Sequence, residues 1–182
     1  MYLIFLALTY LALIGSSGAA IDADKAAELS REIREHFRQT GANWVSPRMF
    51  LQMNLTRNIK PIMFVYTSRS CADCRDFMAS WNQIDRVTLS SLTAQFVSVL
   101  ALDDYAIELS QYSPPDVDFL PRVVFADSYG KLLSDKDRSQ DELPYFYDNA
   151  RQVVEAMRRH LTRHWEAMGT DVFAGDLTED LL

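Results

Sequence analysis

The stretch Pro61-Ile62-Met63-Phe64-Val65-Tyr66-Thr67-Ser68-Arg69-Ser70-Cys71-Ala72-Asp73-Cys74 constrains the fold more than any other part of the chain. Ile62 to Tyr66 is an unbroken apolar, β-rich run between a proline and a polar turn, the pattern of a buried strand. Beyond the cysteines the period changes, because Phe77, Met78, Trp81 and Ile84 recur at helical spacing. The first cysteine therefore falls where a strand gives way to a helix. A helix N-terminus leaves backbone N–H groups unpaired and carries partial positive charge. A thiol placed there loses its proton more readily, and the thiolate is the nucleophile. Cys74, one helical turn on, can attack a mixed disulfide formed at Cys71. The spacing predicts dithiol–disulfide exchange, with Cys71 as nucleophile and Cys74 as resolving thiol.

Cys71 and Cys74 are the only cysteines of the 182 residues, so no intramolecular disulfide staples a long loop. A static Cys71–Cys74 link would close a tiny loop and restrain little unfolded-chain entropy. Zinc is the other rival. A closed site wants four ligands, and His160 and His164 have the i, i+4 spacing of a pair on one helix face. No second Cys-x-x-Cys exists, however, and these histidines, like His36, are expected at the surface; no metal site is expected. The net charge of −7 argues against nucleic-acid binding, which needs a basic face.

Residues 1–20 read as a secretory signal peptide: Met1 to Ile14 is almost wholly apolar, and Gly15-Ser16-Ser17-Gly18-Ala19-Ala20 offers small residues for cleavage. The apolar run falls short of the roughly 20 residues a membrane span needs, so no stable membrane insertion is expected after cleavage. The mature chain would enter an oxidising compartment. Asn54-Leu55-Thr56 is a glycosylation sequon, making Asn54 a candidate sugar acceptor.

Along the chain, Asp22 or Asp24 can cap a helix to about Gln39, stopped by Gly41. Trp44 is expected in a loop, and Ser46-Pro47 opens a helix to about Asn58. The cysteine helix is expected to reach about Asp85, with a shorter helical piece over Val87 to Ala94. Gln95 to Leu102 reads as a second strand ended by Asp103-Asp104. Tyr105 to Phe119 gives no clear pattern. Arg122 to Ala126 reads as a strand, Asp127 to Gly130 as a turn, and Lys131 to Leu133 as a short antiparallel partner. Asp148 or Asn149 caps a last helix whose buried face is marked by Val153, Val154, Met157, Leu161 and Met168, with Gly169 as its stop. The order implies an α/β fold with a mixed central sheet flanked by helices. The expected organisation is 1–20 signal peptide, 21–43 N-terminal helical extension, 44–169 main domain and 170–182 acidic tail.

The strand–CxxC–helix unit, with Leu120-Pro121-Arg122 before the hairpin, resembles the thioredoxin-like fold. By that resemblance Pro121 is the cis-proline beside the redox pair, and Leu120 touches a substrate chain through its backbone. Lys60-Pro61-Ile62-Met63, Cys71-Ala72-Asp73-Cys74, Leu120-Pro121-Arg122-Val123-Val124-Phe125 and Tyr145-Phe146-Tyr147 leading to Gln152-Val153-Val154 are similar to a narrower group. This is the endoplasmic-reticulum thioredoxin-like family, thioredoxin domain-containing protein 12 and its anterior gradient relatives. The similarity runs from about Trp44 to Ala174. It implies a luminal thiol–disulfide oxidoreductase acting on client proteins, with glutathione as redox partner and no other cofactor. Anterior gradient members keep one of the two cysteines; this chain has both.

Three positions depart from the family pattern. Val65 stands where ordinary thioredoxins carry a buried acid, and Ser70 where many relatives have Trp. Glu179-Asp180-Leu181-Leu182 is similar to a retrieval tetrapeptide of the Lys-Asp-Glu-Leu type without matching it, so the alternative to the lumen is secretion. The charges around the pair oppose one another: Arg69 and Arg75 favour the thiolate, Asp73 and Asp76 disfavour it. Asp103 or Asp104 could relay a proton or simply end the strand. Tyr66, Trp81 and Phe125 are expected in the core, and Tyr145-Phe146-Tyr147 as packing for the last helix. The alternative function is a non-catalytic client-binding module, in which the cysteines matter little.

Overall fold

Four strands form one mixed sheet among the described residues: β1 (Trp44–Val45), β2 (Ile62–Thr67), β3 (Val97–Leu102) and β4 (Arg122–Ala126), in spatial order β1-β3-β2-β4. The computed structural model describes Arg31 and residues 41–103, 105–134 and 145–169. Apart from Arg31, all of these belong to one unit, Phe37–Leu182. The expected signal peptide, all of the first helix but Arg31 (itself helical), Asp104 and the acidic tail lie outside the described residues.

β2 is central, parallel to β3 and antiparallel to β4, and every one of its residues is buried. Such two-sided burial explains its unalternating apolar run. Side chains alternate across the sheet. Ile62, Phe64 and Tyr66 join Val97, Val99, Val124, Phe50 and Leu109 in one cluster. Met63 and Val65 pair with Phe125 and Val123 on the other face, where Phe125 stacks on His160 of the last helix at 4.3 Å.

Among the described residues of this unit, five α-helices flank the sheet: α1 (Pro47–Leu51), α2 (Ala72–Ser80), α3 (Arg86–Ala94), α4 (Tyr105–Glu108) and α5 (Ala150–Ala167). Ser46 caps α1 by accepting from the Met49 N–H, Asp85 caps α3 from Thr88, and Asn149 caps α5 from Arg151 and Gln152. α5 packs on α2 and α3. Buried Ser80 joins two of these helices: its hydroxyl donates to the Phe77 carbonyl at 2.6 Å and accepts from the Ala150 N–H at 2.8 Å.

Several expectations need correction. Trp44 is not in a loop but on the short edge strand β1, paired with Ser98. The helix from Pro47 ends at Leu51; Asn54 then caps a separate 3₁₀ turn, Leu55–Arg57. The cysteine helix ends at Ser80 and a 3₁₀ turn, Trp81–Gln83, follows, because Asp85 already serves as cap for α3. The unpatterned stretch after Asp104 contains α4 and the 3₁₀ turn Ser110–Tyr112. The partner of β4 shrinks to one bridge, Ala126 with Leu132, after a turn in which Gly130 takes a φ of 89°. His160 is buried, whereas Met168, expected in the core, is 49% exposed. His164 is half-buried, with Nε2 2.8 Å from the Ile59 carbonyl.

Candidate active site

The ends of three strands meet at Cys71. Thr67, at the carboxyl end of β2, pairs with Leu102 of β3; Arg122, the first residue of antiparallel β4, pairs with Tyr66. Ser68-Arg69-Ser70 turns the chain out of β2, and Cys71 becomes the N-cap of α2 in extended conformation, its side chain accepting from the Cys74 N–H at 3.1 Å. A cap sulfur in that position faces the unpaired N–H groups and positive end of the helix, which favour a thiolate.

Cys71 and Cys74 are joined as a disulfide with their Cα atoms 5.2 Å apart, within the ordinary range for such bonds. The two sulfurs differ in access: Cys71 is half-buried, whereas Cys74 is fully buried. Across from them the Leu120–Pro121 peptide bond is cis, and the Leu120 carbonyl lies 3.7 Å from Cys71 Sγ. Val65 is fully buried and on the opposite face of β2 from Tyr66.

The residues expected to tune the thiolate are not alike. Asp73 and Arg75 sit exposed on α2. Arg69 is engaged instead with Asp103, Nε to Oδ2 at 2.7 Å. Asp103 also accepts from the Ser68 hydroxyl and the Arg69 N–H, at 2.8 and 3.0 Å. Partial burial pushes the Asp103 carboxyl up, but the hydrogen bonds from Arg69 and Ser68 outweigh it and hold the group below its ordinary value. Asn54 is exposed, its Oδ1 accepting from the Thr56 N–H and hydroxyl. Tyr66, Trp81 and Phe125 are buried. The Tyr145 carbonyl accepts from the Val123 N–H at 2.9 Å, so the aromatic run guards the outer edge of β4 as well as leading into α5.

Sequence reasoning passed over two residues. Ser68 anchors the turn before Cys71, and Arg122 lies buried behind the cis-proline. A charged residue inside the apolar run Pro121 to Phe125 was the available signal for Arg122, since arginine is seldom buried without a specific partner.

A mixed sheet of order β1-β3-β2-β4, a Cys-x-x-Cys opening the helix after the central strand, and a cis-proline facing it define a thioredoxin-like α/β fold with a dithiol–disulfide site. No family model matches the chain. Among solved structures it is similar to a disulphide isomerase from Xylella fastidiosa Temecula1, at 22% identity over 61% of this chain and 88% of that one, with a TM-score of 0.38. A thioredoxin from Aeropyrum pernix is similar at 16% identity over 66% and 89% of the two chains, TM-score 0.36. A thioredoxin-fold protein from Helicobacter pylori is similar at 12% identity over 57% and 85%, TM-score 0.33.

Proposed function

We propose that the protein is a thiol–disulfide oxidoreductase of the secretory pathway that exchanges disulfides with client proteins and glutathione. The observation that carries this reading is the asymmetry of the pair: a half-buried Cys71 at the cap of α2, a fully buried Cys74 behind it. Only Cys71 is open to a client. Its thiolate attacks one sulfur of the client disulfide, the client S–S bond breaks, and the departing thiolate takes up a proton. Cys74 then loses its proton and attacks Cys71 Sγ, releasing the second client thiol and leaving Cys71–Cys74 oxidised. Two electrons and two protons pass to the client; glutathione restores the dithiol by the same steps reversed. No metal or organic cofactor enters this cycle, because the electrons travel in the cysteines.

The apolar leader, the sequon at exposed Asn54 and the likeness to the endoplasmic-reticulum thioredoxin-like family support a luminal location, with secretion as the alternative. A second reading, a client-binding module like the anterior gradient proteins, is favoured by one observation. Val65 is buried where an acid would otherwise draw the proton from Cys74.

An equilibrium titration of the Cys71–Cys74 pair in glutathione buffers, read by thiol alkylation and mass, separates the two. A midpoint near the luminal poise, about −180 to −210 mV, supports exchange. A pair still fully oxidised below about −300 mV is a structural link, and the binding module takes its place.

A further inference from the structure

The turn that delivers Cys71 is held from outside its own segment. Asp103 stands just past β3, its N–H donating to the Thr67 carbonyl at 3.1 Å, with a φ of 52°. This is the left-handed region, which Asp and Asn enter more readily than other side chains. From there one carboxylate accepts from the Ser68 hydroxyl, the Arg69 N–H and Arg69 Nε. Ser68 Oγ passes the constraint on, accepting from the Ser70 N–H at 3.2 Å, and the Cys71 N–H donates to the Ser68 carbonyl at 3.4 Å. The chain of contacts ends on the nucleophile's own backbone.

The same contacts fix a charge. Arg69, two residues before Cys71, would stabilise a thiolate if its cation faced the sulfur alone; a carboxylate against Nε cancels much of that field. Among the described residues, other charged groups on the elements around Cys71 are Asp73, Arg75 and Asp76 on α2, all exposed, buried Arg122 at the start of β4, and exposed Asp118, whose charge acts on Arg122. The Arg69–Asp103 ion pair, unlike these groups, bears on the turn itself.

We propose that Asp103 is a positioning residue for Cys71: with Arg69 it forms a charge-compensated latch that locks the Ser68–Ser70 turn and limits the positive charge felt at the sulfur. The proposal rests on the exchange reading of the site and deepens it, since a thiolate less stabilised makes a less oxidising pair.

The test is the pH profile of Cys71 alkylation in the full chain, reduced with a phosphine, for wild type, Asp103→Asn, Arg69→Gln and the double variant. Asp103→Asn keeps an oxygen for the Ser68 and Arg69 N–H bonds but removes the charge, so the midpoint should fall. Arg69→Gln removes the cation and leaves the carboxylate, so the midpoint should rise. Each shift should be about a third of a pH unit, the order of one charge at roughly 8–10 Å through a mostly aqueous dielectric. The double variant should return to the wild-type midpoint. Shifts of the same sign would reveal loosening alone, and no shift would reveal no coupling; either overturns the latch. The glutathione titration is run alongside on wild type. A pair that never cycles there overturns the exchange reading, while the alkylation profiles still decide the latch.

Discussion

The guanidinium carbon of Arg122 lies 4.5 Å from the centroid of the Tyr66 ring, across the ladder joining β4 to β2. Arg122 Nη1 also donates to the Phe119 carbonyl at 3.1 Å, and the Tyr66 hydroxyl to the Leu109 carbonyl at 3.0 Å. A buried cation therefore braces the loop that carries Leu120 and Pro121 to the sulfur. Burial pushes the Tyr66 phenol far above its ordinary value, with the Arg122 charge opposing, so the ring faces the cation as a neutral phenol.

Arg122→Ala should destabilise the protein by about 2–3 kcal/mol. The desolvated cation–π contact accounts for about 2 of this and the stranded Phe119 carbonyl for about 1. Urea unfolding at neutral pH measures the loss. An unchanged midpoint would mean that removing a buried charge offsets both contacts.

Cys74→Ser should accumulate mixed disulfides between Cys71 and client proteins under oxidising conditions, because the resolving attack is gone. Non-reducing gels followed by mass spectrometry detect the adducts, and Cys71→Ser should show none. If Cys74→Ser is also free of adducts, the exchange mechanism fails.

Val65→Asp places a carboxyl on the face of β2 opposite Tyr66, where Val65 is fully buried. Burial raises the carboxyl's own value, which suits a base working near neutral pH. We expect resolution of a Cys71 mixed disulfide to speed up at least about tenfold, at a stability cost on the order of 3 kcal/mol for the buried polar group. Acid-quenched time courses give the rate. An unaltered rate would show that Cys74 loses its proton by a route that needs no buried acid.

Asp85 sets an acid limit. The Thr88 N–H, then the Thr88 hydroxyl, hold its carboxyl below the ordinary value of 3.8, against a smaller opposing push from burial. Its folded value is depressed, so its contribution is fully present above the unfolded value and disappears as pH falls through the folded one. Wild type should therefore exceed Asp85→Ala in melting temperature at pH 6–7, and the two should converge as the pH is lowered below about 3. Parallel curves at every pH would show that the cap acts without its charge.

The parts of this fold legible in the sequence are those fixed by neighbours along the chain. β2, the Cys71 cap and the Ser46 and Asn149 caps each depend on a few consecutive side chains and a change of period. What the sequence hid depends on distant partners. Trp44 is a strand residue only because Ser98 lies beside it, and two residues carry no periodicity. His160 is buried because Phe125 offers a ring to stack on, while Met168 falls one turn too late to reach the core. At the site, the cysteines were evident from spacing. The engagement of Arg69 was not, since its partner Asp103 lies 34 residues on and reaches it from another strand end.

Ser80 links segments 70 residues apart in the chain, its hydroxyl satisfying the first N–H of α5 from the last turn of α2. Undocking α5 breaks this bond at the junction of the two helices, so the opening of one is coupled to the opening of the other. The amide hydrogens of Phe77 and Met157 should then show the same opening free energy in native-state hydrogen exchange. The helix that presents the sulfur opens no sooner than the helix that closes the domain, so the lifetime of the redox platform is the residence time of α5 on the sheet.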